Sequence, residues 1–155
     1  MARSSAMTSP AIRLLTPDDY DQWRRLYQGY AVFYQVTLTK DGTQATCSWL
    51  MDVEHVCTGL VAEKSGQLIG LVNFRCMPSP LRGQMIGFLD NLFVLPYNRS
   101  GGAVAMLIKA VQATAKAESW GIVRWITHDN NCRARDLYDK LAEKTDWAFY
   151  EMAAK

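Results

Sequence analysis

Apolar residues recur at every second position in some stretches of the chain and at every third or fourth in others, and the two periods trade places along its length. Ile12 to Leu15 alternates as a first strand. Thr16-Pro17-Asp18-Asp19 then supplies a hydroxyl cap, a proline and two acids, the chemistry of a helix start. From Tyr20 to Tyr34 the side chains of Trp23, Leu26, Tyr27, Tyr30 and Phe33 keep helical spacing, with Gly29 marking a bend or break. Lys40-Asp41-Gly42 reads as a turn and Gln44 to Val56 as a second short helix. Cys57 to Lys64 and Leu68 to Met77 are β-rich runs joined by Ser65-Gly66, a hairpin that Pro78-Ser79-Pro80 ends.

Met85 to Leu95 is a long apolar strand interrupted by Gly87, Asp90 and Asn91, so it belongs in the middle of a sheet, covered on both faces. Polar residues at such a place need a reason. Pro96 to Gly101 forms a loop, and Ala103, Leu107, Val111 and Ala115 continue as a helix to about Trp120, where Gly121 stops it. Val123 to Thr127 is a further strand, Asp129-Asn130-Asn131 caps a helix from Cys132 to Leu141, and Trp147 to Met152 is a final strand. This order predicts a mixed α/β fold with a central mixed sheet flanked by helices.

At 155 residues the chain has room for one domain over residues 11–155, and Met1 to Pro10, polar and without an apolar core, reads as a flexible leader. Seventeen basic against fifteen acidic residues leave a net charge of +2, too balanced for a nucleic-acid groove, although Arg13, Arg24, Arg25, Arg133 and Arg135 are available. No nucleic-acid partner is expected. The four cysteines form no C-x-x-C pair and the two histidines no ligand run, which predicts no metal site and reduced, structural thiols. With no apolar run of membrane-spanning length, no membrane partner is expected and the cytoplasm is the expected compartment.

The richest chemistry lies in Val94-Leu95-Pro96-Tyr97-Asn98-Arg99-Ser100-Gly101-Gly102-Ala103 ahead of the helix. Small residues let backbone N–H groups approach an anion, and a helix start adds unpaired donors and a favourable dipole. The run is neither a G-x-G-x-x-G fingerprint nor a G-x-x-x-x-G-K-[ST] loop, so it gives dinucleotide binding and nucleotide hydrolysis no support. Together with the later Asn131, Ala134, Arg135, Leu137 and Tyr138, it resembles the GNAT (Gcn5-related N-acetyltransferase) superfamily over nearly the whole chain. Phe88 to Val94 and Thr127 to Asn131 are similar in particular to its small, often dimeric branch of histone and polyamine enzymes.

The resemblance implies a GNAT-like fold and acetyl-CoA as cofactor, held by Leu92, Phe93 and Val94, by Arg99, Ser100, Gly101, Gly102, Ala103 and Val104, and by Asn131, Ala134 and Tyr138. It implies direct transfer of an acetyl group to a primary amine of a small molecule, polyamine or peptide, with Tyr138 serving the leaving thiolate. A donor such as the Val94 N–H, in a splayed strand, would meet the carbonyl oxygen. Asp90 is the expected base, where the family more often has glutamate, and His128 is held in reserve. Tyr27, Tyr30, Phe33, Tyr34, Asn91 and His128 are expected around the acceptor, the aromatic rings offering faces to a cation. Val104 stands where the family has glycine or alanine, a source of crowding that motivates an alternative, a non-catalytic module binding CoA or acyl-CoA. A homodimer through the strand at Trp147 to Met152 completes the expectation.

Overall fold

Five strands run in sequence order across one sheet: β1 (Ala11–Leu14), β2 (Cys57–Lys64), β3 (Gln67–Ser79), β4 (Gln84–Val94) and β5 (Val123–Trp125). Neighbours pair antiparallel as far as β4, and β5 alone lies parallel, to β4. The helices are α1 (Tyr20–Tyr34), α2 (Lys40–Met51), α3 (Ala103–Ala117) and α4 (Cys132–Leu141). This computed structural model describes residues 9–155, so most of the expected leader, residues 1–8, lies outside the described residues.

Side chains alternate across a strand, and the core divides accordingly. On one face Val61, Leu71 and Phe93 pack with Trp23 and Leu26 of α1 and Cys47 of α2. On the other, Leu60, Val72, Phe74 and Val94 pack with Ala103, Leu107 and Val111 of α3. The mixed α/β fold expected from the sequence, a central mixed sheet flanked by helices, is thus the fold observed.

The start of α1 is tied to the sheet by charge. Asp19 Oδ2 accepts from the Thr16 backbone N–H at 2.8 Å, and Arg13 donates to both Asp19 oxygens at 2.7 and 2.8 Å while also pairing with Glu63 on β2. The Arg13 hydrogen bonds hold the buried Asp19 carboxyl down at about 2. A carboxyl depressed in this way stabilises the fold at neutral pH, and the contribution is lost as pH falls from its ordinary value near 3.8 toward 2.

Several local expectations are corrected. Gly29 neither bends nor breaks α1. Any Cβ there would meet the Phe93 ring at 3.0 Å, so glycine lets the helix lie close on β4. Lys40-Asp41-Gly42 is the first turn of α2 rather than a loop, because the Thr39 hydroxyl accepts from the Gly42 N–H at 3.0 Å, and α2 ends at Met51, not Val56. Strand β3 runs through Pro78 to Ser79, and α3 ends at Ala117. The largest miss is the final strand. Trp147 to Met152 has no regular structure, with Trp147 82% and Met152 94% exposed, because β5 is three residues long and its outer edge takes no partner among the described residues.

Candidate active site

The parallel pairing of β4 and β5 covers only Gly87–Leu89 against Val123–Trp125, so β4 runs on to Val94 with no strand beside that edge among the described residues. The Leu95 N–H donates to the Ile69 carbonyl of the β3 side at 2.8 Å, and alternation then turns the backbone of Leu92 and Val94 toward the gap. The splayed strand expected at Val94 is therefore present. Its carbonyl accepts from Arg99 Nε at 2.9 Å, while the guanidinium lies 4.9 Å from the Phe33 ring and 5.5 Å from that of Phe93. Burial, and then the charge of Arg133, lower the Arg99 pKa from its ordinary value.

At the end of β4, Pro96–Gly101 forms a 3-10 turn that delivers the chain to α3. Gly102 has φ +82°, the left-handed region that favours glycine, and nothing lies within 4 Å of where its Cβ would stand. No side chain caps α3, so the N–H groups of its first turn are left to a ligand. Ser100, Gly101 and Gly102 are exposed beside these donors. A pyrophosphate fits here on geometry. Val104, the suspected source of crowding, is half-buried and packs onto the core beneath α3.

Across the gap, α4 carries Tyr138, whose ring meets Trp125 edge-on at 5.4 Å. Burial first, with the neighbouring phenols of Tyr34 and Tyr30, pushes the Tyr138 pKa up to about 12, so the hydroxyl keeps its proton at neutral pH. Asn131 stands at the N-terminus of α4 and donates to Thr127 Oγ1 at 3.3 Å, and Ala134 is half-buried one turn on. Tyr30, Phe33, Tyr34 and His128 collect at this same end of the sheet: Tyr34 lies 4.7 Å from Tyr30, 4.9 Å from Phe33 and 5.8 Å from His128.

A hollow of about 440 Å³ opens between β3, β4, α1 and α2, with Cys57 of β2 at its edge. Asn73 pairs in register with Asn91, but Phe74 pairs with Leu89, so Asp90 is the extra residue of a bulge. Strict alternation would send Asp90 and Asn91 to opposite faces. The bulge lets both line the hollow. Burial raises the Asp90 carboxyl above its ordinary value, against the pull of Arg75, whose Nε reaches its two oxygens at 3.2 and 3.1 Å. Of the expected acceptor residues, Tyr27 and Asn91 line this hollow, while the other four gather near Arg99 and α4. Sequence reasoning missed Asn73, Arg75, Thr46 and Trp49, which also line it. The signal for the first two was available, since residues 73 and 75 are the polar positions of one face in an otherwise apolar run.

The mixed sheet thus splits between its two parallel strands, with a glycine-led helix at the split and a polar hollow on one face. The model of the acetyltransferase (GNAT) family matches residues 23–142, and the chain belongs to that family. It is an acetyltransferase, and acetyl-CoA is its acetyl donor. A D-amino-acid N-acetyltransferase of Saccharomyces cerevisiae is 25% identical over 142 residues, covering 90% of this chain and 88% of the relative. The crystal structure of a ribosomal-protein-alanine N-acetyltransferase from Brucella melitensis biovar Abortus 2308 superposes with a TM-score of 0.78 at 25% identity, over 95% of this chain and 100% of that one. The aminoglycoside N-acetyltransferase AAC(6')-Iy, in complex with a bisubstrate analogue, shares the fold with a TM-score of 0.81 at 21% identity, over 95% of this chain and 100% of that one.

Proposed function

We propose that this protein moves the acetyl group of acetyl-CoA directly to the primary amine of an acceptor held between β3, β4, α1 and α2. The observation that carries this reading is the gap beside Leu92–Val94, which has the uncapped start of α3 at its end and the Asp90 hollow beside it. The relatives named above act on a D-amino acid, on alanine of a ribosomal protein and on an aminoglycoside, and an amino group is what these acceptors share.

Acetyl-CoA, when bound, supplies an activated thioester carbonyl. Arg99, Ser100, Gly101, Gly102, Ala103 and Val104 hold its pyrophosphate, chiefly through backbone N–H groups. The Val94 N–H donates to the carbonyl oxygen, where negative charge develops. Leu92 and Phe93 continue that wall, and Asn131 and Ala134 hold the opposite side. Asp90 takes the proton of the attacking amine, and its raised pKa strengthens it as a base. Tyr138 donates the proton that the departing thiolate needs. Val104 packs on the core, so it gives the purely binding module no support.

The test is thiol release from acetyl-CoA on addition of a panel of primary amines, polyamines and peptides. Acceptor-dependent release is expected. Cofactor binding with no release from any amine would favour the regulatory module instead.

We infer a homodimer as well. Trp147, Phe149, Tyr150 and Met152 are exposed at one end of the chain, and β5 offers a free edge on which a second copy of that segment has room to pair. Analytical ultracentrifugation should show a dimer that truncation after Lys144 converts to monomer, and a full-length chain that stays monomeric at all concentrations would refute it. Among the described residues no helix is long and apolar enough to cross a membrane, and all four cysteines are free, which supports a reducing compartment such as the cytoplasm.

A further inference from the structure

The acceptor hollow contains one cation and one anion, and the cation is only partly used. Arg75 engages Asp90 through Nε alone, and among the described residues no acceptor meets its Nη1 or Nη2. The guanidinium is positioned by the Phe88 ring, 4.9 Å away, and its side chain is 40% exposed beside a 32% exposed Asp90. Those terminal nitrogens form the edge that grips a carboxylate in a bidentate manner. Deeper in, Asn73 is only 4% exposed, and its Oδ1 is buried without a hydrogen-bond partner while its Nδ2 donates to Asn91 Oδ1 at 3.1 Å. That oxygen is turned toward β2, 3.5 Å from where a Cβ on Gly59 would stand, and is closed to an occupant of the hollow.

We propose, resting on the acetyltransferase reading above, that the acceptor is a free α-amino acid, whose carboxylate is bound by the terminal nitrogens of Arg75. The amine of such a zwitterion sits two bonds from its carboxylate carbon, so both groups fit against side chains that are themselves in contact. The ammonium faces Asp90, which relays its first proton to solvent before attack and is then free to take the second as the amide forms, while Tyr138 protonates the departing thiolate. The acceptor's own side chain has the half-buried Tyr27 ring and the edge of Trp49 to lie against. A polyamine would place a second positive charge toward Arg75, with Asp90 as the hollow's one neutralising carboxylate, and is disfavoured. Arg75 is therefore a specificity-determining residue, distinct from the groups that move protons.

The experiment compares D-phenylalanine, L-phenylalanine, phenylalanine amide and phenethylamine, the last two lacking the carboxylate, in acetyl transfer by the full-length protein. At least one enantiomer should exceed phenethylamine in kcat/KM by about ten- to a hundredfold, the range for a hydrogen-bonded charge. Arg75→Gln should abolish that ratio through KM, whatever the change in absolute turnover that follows from freeing Asp90, and Arg75→Lys should restore part of it. Taking the ratio within each variant cancels any change Arg75 imposes on Asp90, and Arg75→Lys guards against loss of folding. Equal loss on all four acceptors, or a wild-type protein indifferent to the carboxylate, overturns the proposal while leaving the transferase reading intact. No release with any amine strikes the transferase reading itself.

Discussion

Replacing Tyr138 by phenylalanine should lower kcat by about tenfold to ten-thousandfold, the span for losing a general acid, while acetyl-CoA affinity changes little. Phenylalanine retains the edge-on contact with Trp125 and the packing against the α3 core, so only the hydroxyl is tested. With its pKa pushed up to about 12, the phenol keeps its proton through neutral and mildly alkaline pH. The alkaline limb of the wild-type rate profile should accordingly lie far above neutrality. With Asp90 as the proposed base, activity should fall as pH drops through a value above that of an ordinary carboxylate, the direction in which burial moves it. Kinetics at saturating cofactor, paired with direct CoA titration, decide the matter. Unchanged kcat in Tyr138→Phe, measured with a productive acceptor, would remove this residue from the mechanism.

The second large effect concerns the cofactor. Gly102→Glu should weaken acetyl-CoA binding by on the order of a hundredfold or more, equivalent to about 3 kcal/mol. The glutamate would bring a negative charge and bulk to the helix start proposed to hold the pyrophosphate. Any residue other than glycine also bears the strain of φ +82° there, about 1–2 kcal/mol for a Cβ in the left-handed region. Gly102→Ala carries that strain without the charge. Calorimetric titration of both variants, with melting temperatures alongside, separates the two contributions. Alanine should lose stability but keep most of its affinity, and a folded glutamate variant binding as tightly as wild type would defeat the assignment of the loop.

The loop and α4 were legible in the sequence because their determinants are local. Glycines, a proline and an uncapped helix start are adjacent in the chain, and Asn131 to Tyr138 spans two helical turns. The hollow was less legible, since its members come from five elements whose register the sequence does not display. Asp90 and Asn91 were visible as polar residues in an apolar strand, but nothing near them announces the bulge that sends both to one side. Arg75 and Asn73 were passed over because a hairpin reading makes alternate polar residues a solvated face. In the fold, α1 and α2 cover that face instead. The final strand failed for a related reason: Trp147 to Met152 has the composition of a strand, yet its place in a sheet depends on an edge, and β5 is too short to hold it within one chain.

The two walls of the gap differ in how firmly they are built. Every fully buried residue lies at or before Ala115, and neither β5 nor α4 contains one. The wall bearing Val94 is core, whereas the wall bearing Tyr138 is attached to it through three strand pairs and half-buried contacts. Segments with few buried contacts open locally at a small fraction of the free energy of global unfolding. Tyr138, the proposed proton donor, thus rides on the less deeply anchored part of the molecule, and in the proposed arrangement a cofactor spanning both walls would tie that part to the sheet. Cofactor binding should then do more than supply acetyl groups. It should slow amide exchange in β5 and α4 relative to the free enzyme, so that the order of the second wall follows the charging of the first.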